Sequence, residues 1–239
     1  MPENKDIASE FLICDSRNIK LPINAANWLS FDERARLAGI AHQQQARLFL
    51  LGRYLLRRLA GRRLGIPGQQ LEIRVDQKGK PALVNQPLFF NLSHSGPYLA
   101  LALDTRADLG VDVETRRLNN VQAHRLARRY LHPDEQRWLL AQADPAQAFI
   151  RLWTAKESLV KAQGSGIAGS LAGFSWHPDS VHTRLGQQSY RLYQWPLPSA
   201  WLSLAVAGEQ GPAPQLIKLT DYPDWLEITG PQPYLAINP

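Results

Sequence analysis

Two carboxylates in the short sequence LGVDVE, from Leu109 to Glu114, have a spacing that could do chemistry. Side chains alternate between the two faces of a strand, so Asp112 and Glu114 would share one face while the apolar residues point to the other. With a rise of ~3.3 Å per residue their α-carbons would lie roughly 7 Å apart, close enough to bind one hard cation. Magnesium commonly takes one or two protein carboxylates and leaves its other positions to water and phosphate. The alternative is an exposed strand edge with two solvated acids.

A third acid stands beside two lysines on a helix predicted from Ala146 to Ala162. Glu157 and Lys161 are four residues apart and share one face, and Lys156 is the sequence neighbour of Glu157. If Glu157 joins the two strand acids at a metal, the lysines could hold phosphate or stabilise a leaving group. The alternative is an ordinary helix salt bridge between Glu157 and Lys161, which contributes only ~0.2–0.5 kcal/mol.

A polar sequence, FNLSHSG, lies within Phe89 to Gly96 and predicts a loop built around a ligand. The side chains of Ser93, His94 and Ser95 and the backbone at Gly96 could donate hydrogen bonds to a phosphate. No G-x-S-x-G sequence surrounds either serine, which argues against a hydrolase triad. A structural turn held by its own hydrogen bonds is the alternative.

The elements that must position these residues indicate a mixed α and β chain. Ser30 and Glu33 form a capping box, and the recurring leucines between Gln44 and Arg63 predict an amphipathic helix with a basic side. Gly164 should end the lysine-bearing helix. The remaining predicted helices are Val121–Tyr130 and Pro133–Ala141, and the predicted strands are Leu71–Val75, Tyr98–Asp104, Leu109–Glu114, Phe174–Trp176, Tyr190–Trp195 and Trp201–Val206. The similar strands YLALALD and WLSLAVAG hint at two related subdomains.

Composition narrows the class of protein. The 239 residues carry a net charge of +6, which indicates an anionic partner: nucleic acid, a phosphorylated cofactor or an acidic protein. The single cysteine, Cys14, cannot form an intramolecular disulfide, and the first residues lack the pattern of a secretory signal. The longest apolar run, Tyr98 to Leu103, is far shorter than the ~20 residues of a membrane span. We therefore expect a cytoplasmic protein that does not enter a membrane.

Four motifs occur together in one order: the GKP turn at 79–81, FNLSHSG, LGVDVE and WTAKESLVKAQGSG. In this order and approximate spacing, from Lys78 to Ile167, the chain resembles the Sfp-type 4'-phosphopantetheinyl transferases. The resemblance implies an α+β fold of two similar halves, residues 1–108 and 109–239, related by a pseudo-twofold with coenzyme A between them. It also implies an enzyme of the holo-[acyl-carrier-protein] synthase type. Such an enzyme moves 4'-phosphopantetheine from coenzyme A to a carrier-protein serine and releases adenosine 3',5'-bisphosphate.

The resemblance also assigns roles to individual residues. It implies that Asp112, Glu114 and Glu157 bind Mg²⁺, and that Glu157, or alternatively a metal-bound water, is the base for the carrier serine. Lys161 and Lys156 would steady the pyrophosphate and the departing nucleotide. The remaining matches are to cofactor-binding positions: Lys78, Gly79, Lys80 and Pro81 for the adenine, and Ser93, His94, Ser95 and Gly96 for the 3'-phosphate.

One part of the chain departs from the family pattern. The family often uses two basic residues before the long helix against the cofactor phosphate, and here Arg36 matches one place while Glu33 occupies the other. Arg34, Arg47 and Arg53 are the other candidates for that contact.

The partners implied are coenzyme A and an acidic acyl or peptidyl carrier protein, from fatty-acid, polyketide or nonribosomal-peptide synthesis, and the family analogy suggests a monomer.

One rival function is that of a nucleic-acid-binding protein, for which the clustered acids would be a liability. The other rival is a different magnesium-dependent nucleotide or phosphodiester enzyme that uses the same acids.

Overall fold

The computed structural model of the chain describes residues 9–77, 79–166, 171–211, 213–214, 216–218 and 227–228. These residues divide into two compact units. The first contains the described residues up to Arg106 together with those from Pro214 onwards, and the second runs from Ala107 to Ala213. Each unit combines helices with a four-stranded sheet, so the predicted α+β class is confirmed.

A four-stranded sheet forms the centre of the first unit. In sheet order its strands are β11 (Leu216–Lys218), β1 (Ser9–Asp15), β6 (Tyr98–Asp104) and β5 (Phe89–Ser95). The β1–β6 and β5–β6 pairs are antiparallel, whereas β11 runs parallel to β1. All seven residues of β6 are buried, because the strand has a neighbour on each side. The shorter strands are β2 (Ile19–Lys20), β3 (Ile73–Val75), β4 (Pro81–Leu83) and β12 (Glu227–Ile228).

Two helices, α1 (Phe31–Ala38) and α2 (Gln43–Leu64), complete the first unit. The predicted capping box is present, because the Ser30 hydroxyl accepts from the Glu33 amide and the Glu33 carboxylate accepts from the Ser30 amide. The leucines of α2 are buried in one core with β6, which confirms the amphipathic helix.

The arginines of α2 do not form one solvated basic side. Arg57 is fully buried and donates to the Glu33 carboxylate and to the carbonyls of Gly68 and Leu71. Arg53 is only 7% exposed and also faces Glu33, at 3.4 Å. The prediction of a basic side is therefore wrong for these two residues, because a buried carboxylate from α1 draws them into the core.

The second unit packs three helices with its own antiparallel sheet. The helices are α3 (Asn120–Tyr130), α4 (Pro133–Leu140) and α5 (Pro145–Gln163). In sheet order the strands are β7 (Leu109–Glu114), β10 (Ala200–Ala207), β9 (Gln188–Leu197) and β8 (His182–Leu185). Ser203 of β10 lies opposite Asp112 of β7, and its hydroxyl donates to the Thr154 hydroxyl of α5 at 2.9 Å. This buried contact links α5 to the sheet beside Asp112.

The close approach of α5 to β7 depends on Gly110. A β-carbon at this position would lie 2.1 Å from the Ser158 carbonyl oxygen and 2.3 Å from the Ala162 amide nitrogen. Only a residue without a side chain allows the helix to pack so tightly. The helix ends as predicted at Gly164, which adopts a φ of 72° and donates its amide to the Val160 carbonyl.

Three sequence predictions differ from the structure. FNLSHSG is not a loop: all but its final glycine belong to β5, which pairs with β6 up to Ser95. The segment from Phe174 to Trp176 is not a strand, because the Phe174 carbonyl and the Trp176 amide bind side chains of α5 and α4. The strand predicted from Leu71 begins only at Ile73. Within the described ranges, no helix combines the length and apolar character needed to cross a membrane.

Candidate active site

The second unit brings Asp112 and Glu114 of β7 together with Glu157 and Lys161 of α5. The Lys161 ammonium donates to Asp112 Oδ1 at 2.6 Å and to the Val111 carbonyl at 3.2 Å. Asp112 is buried, and about a quarter of the Lys161 side chain is exposed. One lysine therefore reaches the acid-bearing strand from the helix while remaining open to solvent.

The surroundings of Glu157 disfavour the charged form of its carboxyl. It is 4% exposed, and its Oε1 atom has no hydrogen-bond partner among the described residues. Burial, followed by the negative charge of Asp112, raises the pKa of the Glu157 carboxyl from 4.5 to about 7. Glu114 also raises this pKa, whereas Lys161 and Arg116 lower it. Asp112 and Glu114 are thus both close enough to repel the charge of Glu157.

Arg116 is a member of this cluster that the sequence analysis missed. Its guanidinium lies 3.2 Å from Glu114 Oε2, and its amide donates to Glu114 Oε1 at 2.8 Å. The only signal in the sequence is a basic residue two positions after the acid, which is too common to single out. Both residues line a cavity of about 370 Å³ that also includes Arg117 and Trp201. Glu114 therefore lies where the acid cluster meets open space.

The donor chemistry of the cluster fits a small divalent cation. Three carboxylates supply hard oxygen ligands, and a cation would relieve both the repulsion and the unpaired Glu157 Oε1. In the part of the chain that the structure describes, however, no three acidic, histidine or cysteine side chains are arranged as a finished metal site. The fit rests on the type and charge of the ligands.

Lys156 does not join the cluster. It is fully buried and donates to both oxygens of Glu135 and to the Phe174 carbonyl, at 2.6–2.8 Å. The sequence predicted that Lys156 would lie beside the three acids. The structure does not place it there, because its ammonium binds Glu135. Adjacent helix residues differ by ~100° in direction, which separates Lys156 from Glu157.

In the first unit, the predicted phosphate-binding residues lie at the end of β5 and in the turn after it. Ser93 is buried, Ser95 is half-buried, and His94 and Gly96 are exposed. The Gly96 carbonyl accepts a hydrogen bond from the Gln44 side chain at 2.9 Å. Gln44 also lines a cavity of about 650 Å³. Gln44 therefore connects the turn to a cavity large enough for part of a ligand.

The GKP segment forms the predicted turn between β3 and β4. The Asp76 carbonyl accepts from the Gly79 amide at 3.0 Å, and the Asp76 carboxylate accepts from the Lys80 amide at 2.8 Å. Pro81 begins β4. Lys78, which the sequence analysis also assigned to the cofactor, lies outside the described residues.

The candidate arginines of the first unit differ in their contacts. Arg34 donates to the Leu29 carbonyl and Arg47 to the carbonyls of Ser16 and Ile19, while Arg53 is buried against Glu33. Arg36 is exposed, and its guanidinium lies 5.3 Å from the centre of the Phe49 ring. Arg36 is therefore the one of the four that is exposed and lies against an aromatic ring rather than a carbonyl or a carboxylate.

An α+β chain with three carboxylates and a lysine joined across one strand and one helix has the features of an enzyme acting on a phosphorylated substrate. Residues 108–207 match the 4'-phosphopantetheinyl transferase superfamily, and residues 22–106 match the family described as 4'-phosphopantetheinyl transferase, N-terminal. The chain belongs to the Sfp-type 4'-phosphopantetheinyl transferase family, whose members are transferases that use coenzyme A and modify carrier proteins.

Individual relatives support this assignment. The chain is 34% identical over 194 residues to the slr0495 protein of Synechocystis sp., which carries the family's name; the match covers 74% of this chain and 78% of that protein. It is 32% identical to the 4'-phosphopantetheinyl transferase psf-1 of Bacillus pumilus, over 67% of this chain and 69% of psf-1. It is 29% identical to Sfp of Bacillus subtilis, over 62% of this chain and 66% of Sfp.

Proposed function

We propose that this chain transfers 4'-phosphopantetheine from coenzyme A to a carrier-protein serine at the cluster formed by Asp112, Glu114, Glu157 and Lys161. The observation that carries the proposal is the buried Glu157 carboxyl, whose Oε1 is unpaired and whose pKa is raised to about 7 beside two further acids. A carboxyl with a pKa near the working pH is ionised in about half of the molecules and is basic enough to accept a proton.

Mg²⁺ is the cation that this set of oxygen ligands suits, and Asp112, Glu114 and Glu157 would hold it. When bound, it supplies positive charge to the pyrophosphate of coenzyme A. A raised carboxyl pKa and a carboxylate oxygen without a partner both favour such a charge at this place.

The protein's own residues account for the remaining chemistry. Glu157 takes the proton from the carrier serine, whose oxygen then forms a bond to the phosphorus that bears the pantetheine arm. The bond from that phosphorus to the bridging oxygen of the pyrophosphate breaks, and adenosine 3',5'-bisphosphate leaves. About a quarter of the Lys161 side chain is exposed, so its ammonium can stabilise the charge that develops on the leaving phosphate. A water molecule in place of Glu157 is the alternative base.

The first unit would bind the nucleotide part of coenzyme A. The exposed His94 and the backbone at Gly96 offer donors for a phosphate, and the cavity of about 650 Å³ that Gln44 lines has room for part of the cofactor. Arg36, which is exposed, is the basic residue we assign to the 3'-phosphate. Gly79, Lys80 and Pro81 would contact the adenine through the β3–β4 turn.

The acceptor in this proposal is an acidic carrier protein in the cytoplasm. Opposite charge on the two proteins would accelerate their encounter, because this chain carries a net charge of +6. The rate of transfer should then fall as the ionic strength rises. Carriers from fatty-acid, polyketide and nonribosomal-peptide synthesis are all suitable acceptors for a test.

Intact-protein mass spectrometry tests this function directly. Apo carrier proteins of the three classes are incubated with the enzyme, coenzyme A and Mg²⁺, with EDTA in a parallel sample. We expect a metal-dependent gain of one phosphopantetheine per carrier, its loss in Asp112→Asn, and its retention in Glu72→Gln, which changes an exposed acid. Absence of any gain with every carrier, while the protein is folded, would refute the proposal.

A further inference from the structure

We propose that the buried ion pair between Lys156 and Glu135 is a positioning device that holds α5 so that Glu157 and Lys161 face the acids of β7. Lys156 would then act on the reaction only through its neighbours on the helix and would not touch the substrate. The activity readout rests on the proposed function, whereas the structural readout does not.

Lys156 is committed to contacts inside the protein. Its side chain has no exposed surface, and its ammonium donates to Glu135 Oε1 at 2.8 Å, to Glu135 Oε2 at 2.6 Å and to the Phe174 carbonyl at 2.6 Å. The ammonium also lies 4.1 Å from the centre of the Phe174 ring. An ammonium group has three donors. All are used by these acceptors, so no donor remains for a phosphate.

Glu135 connects this ammonium to two further segments. Its Oε1 accepts from the Trp176 amide at 2.9 Å, and its Oε2 accepts from the His132 amide at 2.9 Å. His132 is the residue that caps α4. A single carboxylate therefore ties together the start of α4, the middle of α5 and the segment that follows α5.

The position of the pair on α5 makes it able to set the direction of Glu157. Adjacent residues on a helix are ~1.5 Å apart along the axis and ~100° apart around it. Holding Lys156 against Glu135 therefore determines the direction in which Glu157 points. Displacement of the helix would move Glu157 and Lys161 together, because both are carried by the same rigid element.

Contacts on its sheet side also restrain α5. Gly110 allows the closest approach of the helix to β7, and Thr154 is bonded to Ser203 of β10. Neither contact lies on the α4 side, where the Lys156–Glu135 pair is placed. The helix is therefore fixed between a sheet contact that sets its distance and an ion pair that sets its rotation.

A buried ion pair provides a test that separates positioning from substrate contact. Removal of one partner leaves an uncompensated charge in the core, whereas replacement of both partners by neutral groups of similar shape is often tolerated. The variants are Lys156→Met, Glu135→Gln and the double variant Glu135→Gln/Lys156→Met. In the double variant, a glutamine at 135 keeps one acceptor oxygen, which can still bind one of the two backbone amides.

We would measure steady-state kinetics for all variants with coenzyme A and an apo carrier, and would titrate the activity with Mg²⁺. The temperature is one at which circular dichroism shows every variant to be folded. Lys156→Met should lower kcat at least ~10-fold and raise the Mg²⁺ concentration for half-maximal activity, with little change in the KM for coenzyme A. The double variant should recover most of the kcat. A structural readout accompanies the kinetics: the rise in Tm on adding Mg²⁺ with coenzyme A should shrink in Lys156→Met and return in the double variant.

Lys161→Met provides the matched control, because it removes another α5 lysine, one that pairs with Asp112. Its loss of activity should persist when Glu135→Gln is added.

A folded double variant as inactive as Lys156→Met, with a raised KM for coenzyme A, would overturn the proposal in favour of substrate contact. Wild-type kcat in Lys156→Met, or a double variant that does not fold, would also overturn it. If wild-type protein modifies no carrier, the proposed function fails, and the Tm pattern alone decides on the ion pair.

Discussion

The Lys161 ammonium lies 2.6 Å from Asp112 Oδ1, so an ion pair joins α5 to β7 at the centre of the acid cluster. With Arg116, which lies against Glu114, it brings two positive charges to three acids. The cluster keeps a surplus of negative charge, and the proposed cation would offset that surplus. The predictions below follow from this arrangement and from the packing that supports it.

Removal of the Lys161 charge should impair chemistry more than binding. We expect Lys161→Met to lower kcat by ~10²-fold or more, because groups that stabilise developing charge contribute on this scale. The KM for coenzyme A should change much less. Arg137→Met, which changes a largely exposed cation on α4, is the control and should retain wild-type kcat. A similar kcat for Lys161→Met and wild type would contradict the assigned role.

The pKa of Glu157 predicts how stability depends on pH in the metal-free protein. Its folded-state value of about 7 exceeds the ordinary 4.5, so the folded state binds the proton more tightly. The corresponding stabilisation is fully present below about pH 4.5 and is lost as the pH rises through about 7. In EDTA, the Tm of wild type relative to Glu157→Gln should therefore fall between pH 5 and pH 8.

At pH 8, added Mg²⁺ should raise the Tm of wild type and should leave the Tm of Glu157→Gln unchanged. Thermal unfolding followed by circular dichroism measures both effects. Parallel Tm curves for the two proteins across this pH range would show that burial does not penalise the charged carboxylate.

Gly110 should tolerate no side chain. A methyl group there would meet the backbone atoms of Ser158 and Ala162, so α5 must shift away from β7. We expect Gly110→Ala to lower the free energy of unfolding by ~1–3 kcal/mol and to reduce kcat, because the shift moves Glu157 and Lys161. Gly173→Ala is the matched control, since a β-carbon at 173 has open space around it. Denaturant unfolding and the transfer assay measure the two effects, and equal values for the two alanine variants would exclude this role of Gly110.

Cys14 should be unreactive in the folded protein. Burial, with a smaller effect of Asp15, raises the pKa of its thiol to about 12, so only ~10⁻⁴ of it is ionised at pH 8. Labelling with a disulfide reagent should be negligible over minutes in buffer and complete in denaturant. Rapid stoichiometric labelling of the native protein would show that the first-unit core opens readily.

His94 should affect the cofactor more than the carrier. Its side chain is exposed at the end of β5, where the proposed phosphate contact lies. We expect His94→Ala to raise the KM for coenzyme A several-fold and to leave the KM for the carrier nearly unchanged. His182→Ala, an exposed histidine on β8, is the control. Equal changes in both KM values would argue against a cofactor role for His94.

Local signals in the sequence were sufficient to predict the strand and the helix that carry the three acids. The strand predicted from Leu109 to Glu114 matches β7, and the helix predicted from Ala146 to Ala162 lies within one residue of α5 at each end. Alternating side chains and the glycine after the helix are properties of neighbouring residues, which a sequence shows directly. The order of the four motifs was sufficient to predict the family, and the comparisons confirm that prediction.

The sequence by itself therefore determined the strand and the helix that carry the acids, the family and the residue types available for the site, because these depend on neighbours along the chain. The tertiary structure alone decided which charges are buried and what they face. FNLSHSG became a strand because β6 pairs with it, and Arg57 entered the core because Glu33 lies there. Lys156 and Lys161 look alike in the sequence, yet one is bound by a carboxylate 21 positions away and the other reaches Asp112. Burial and long-range partners set the energy of an ionised group, and neither can be read from its neighbours.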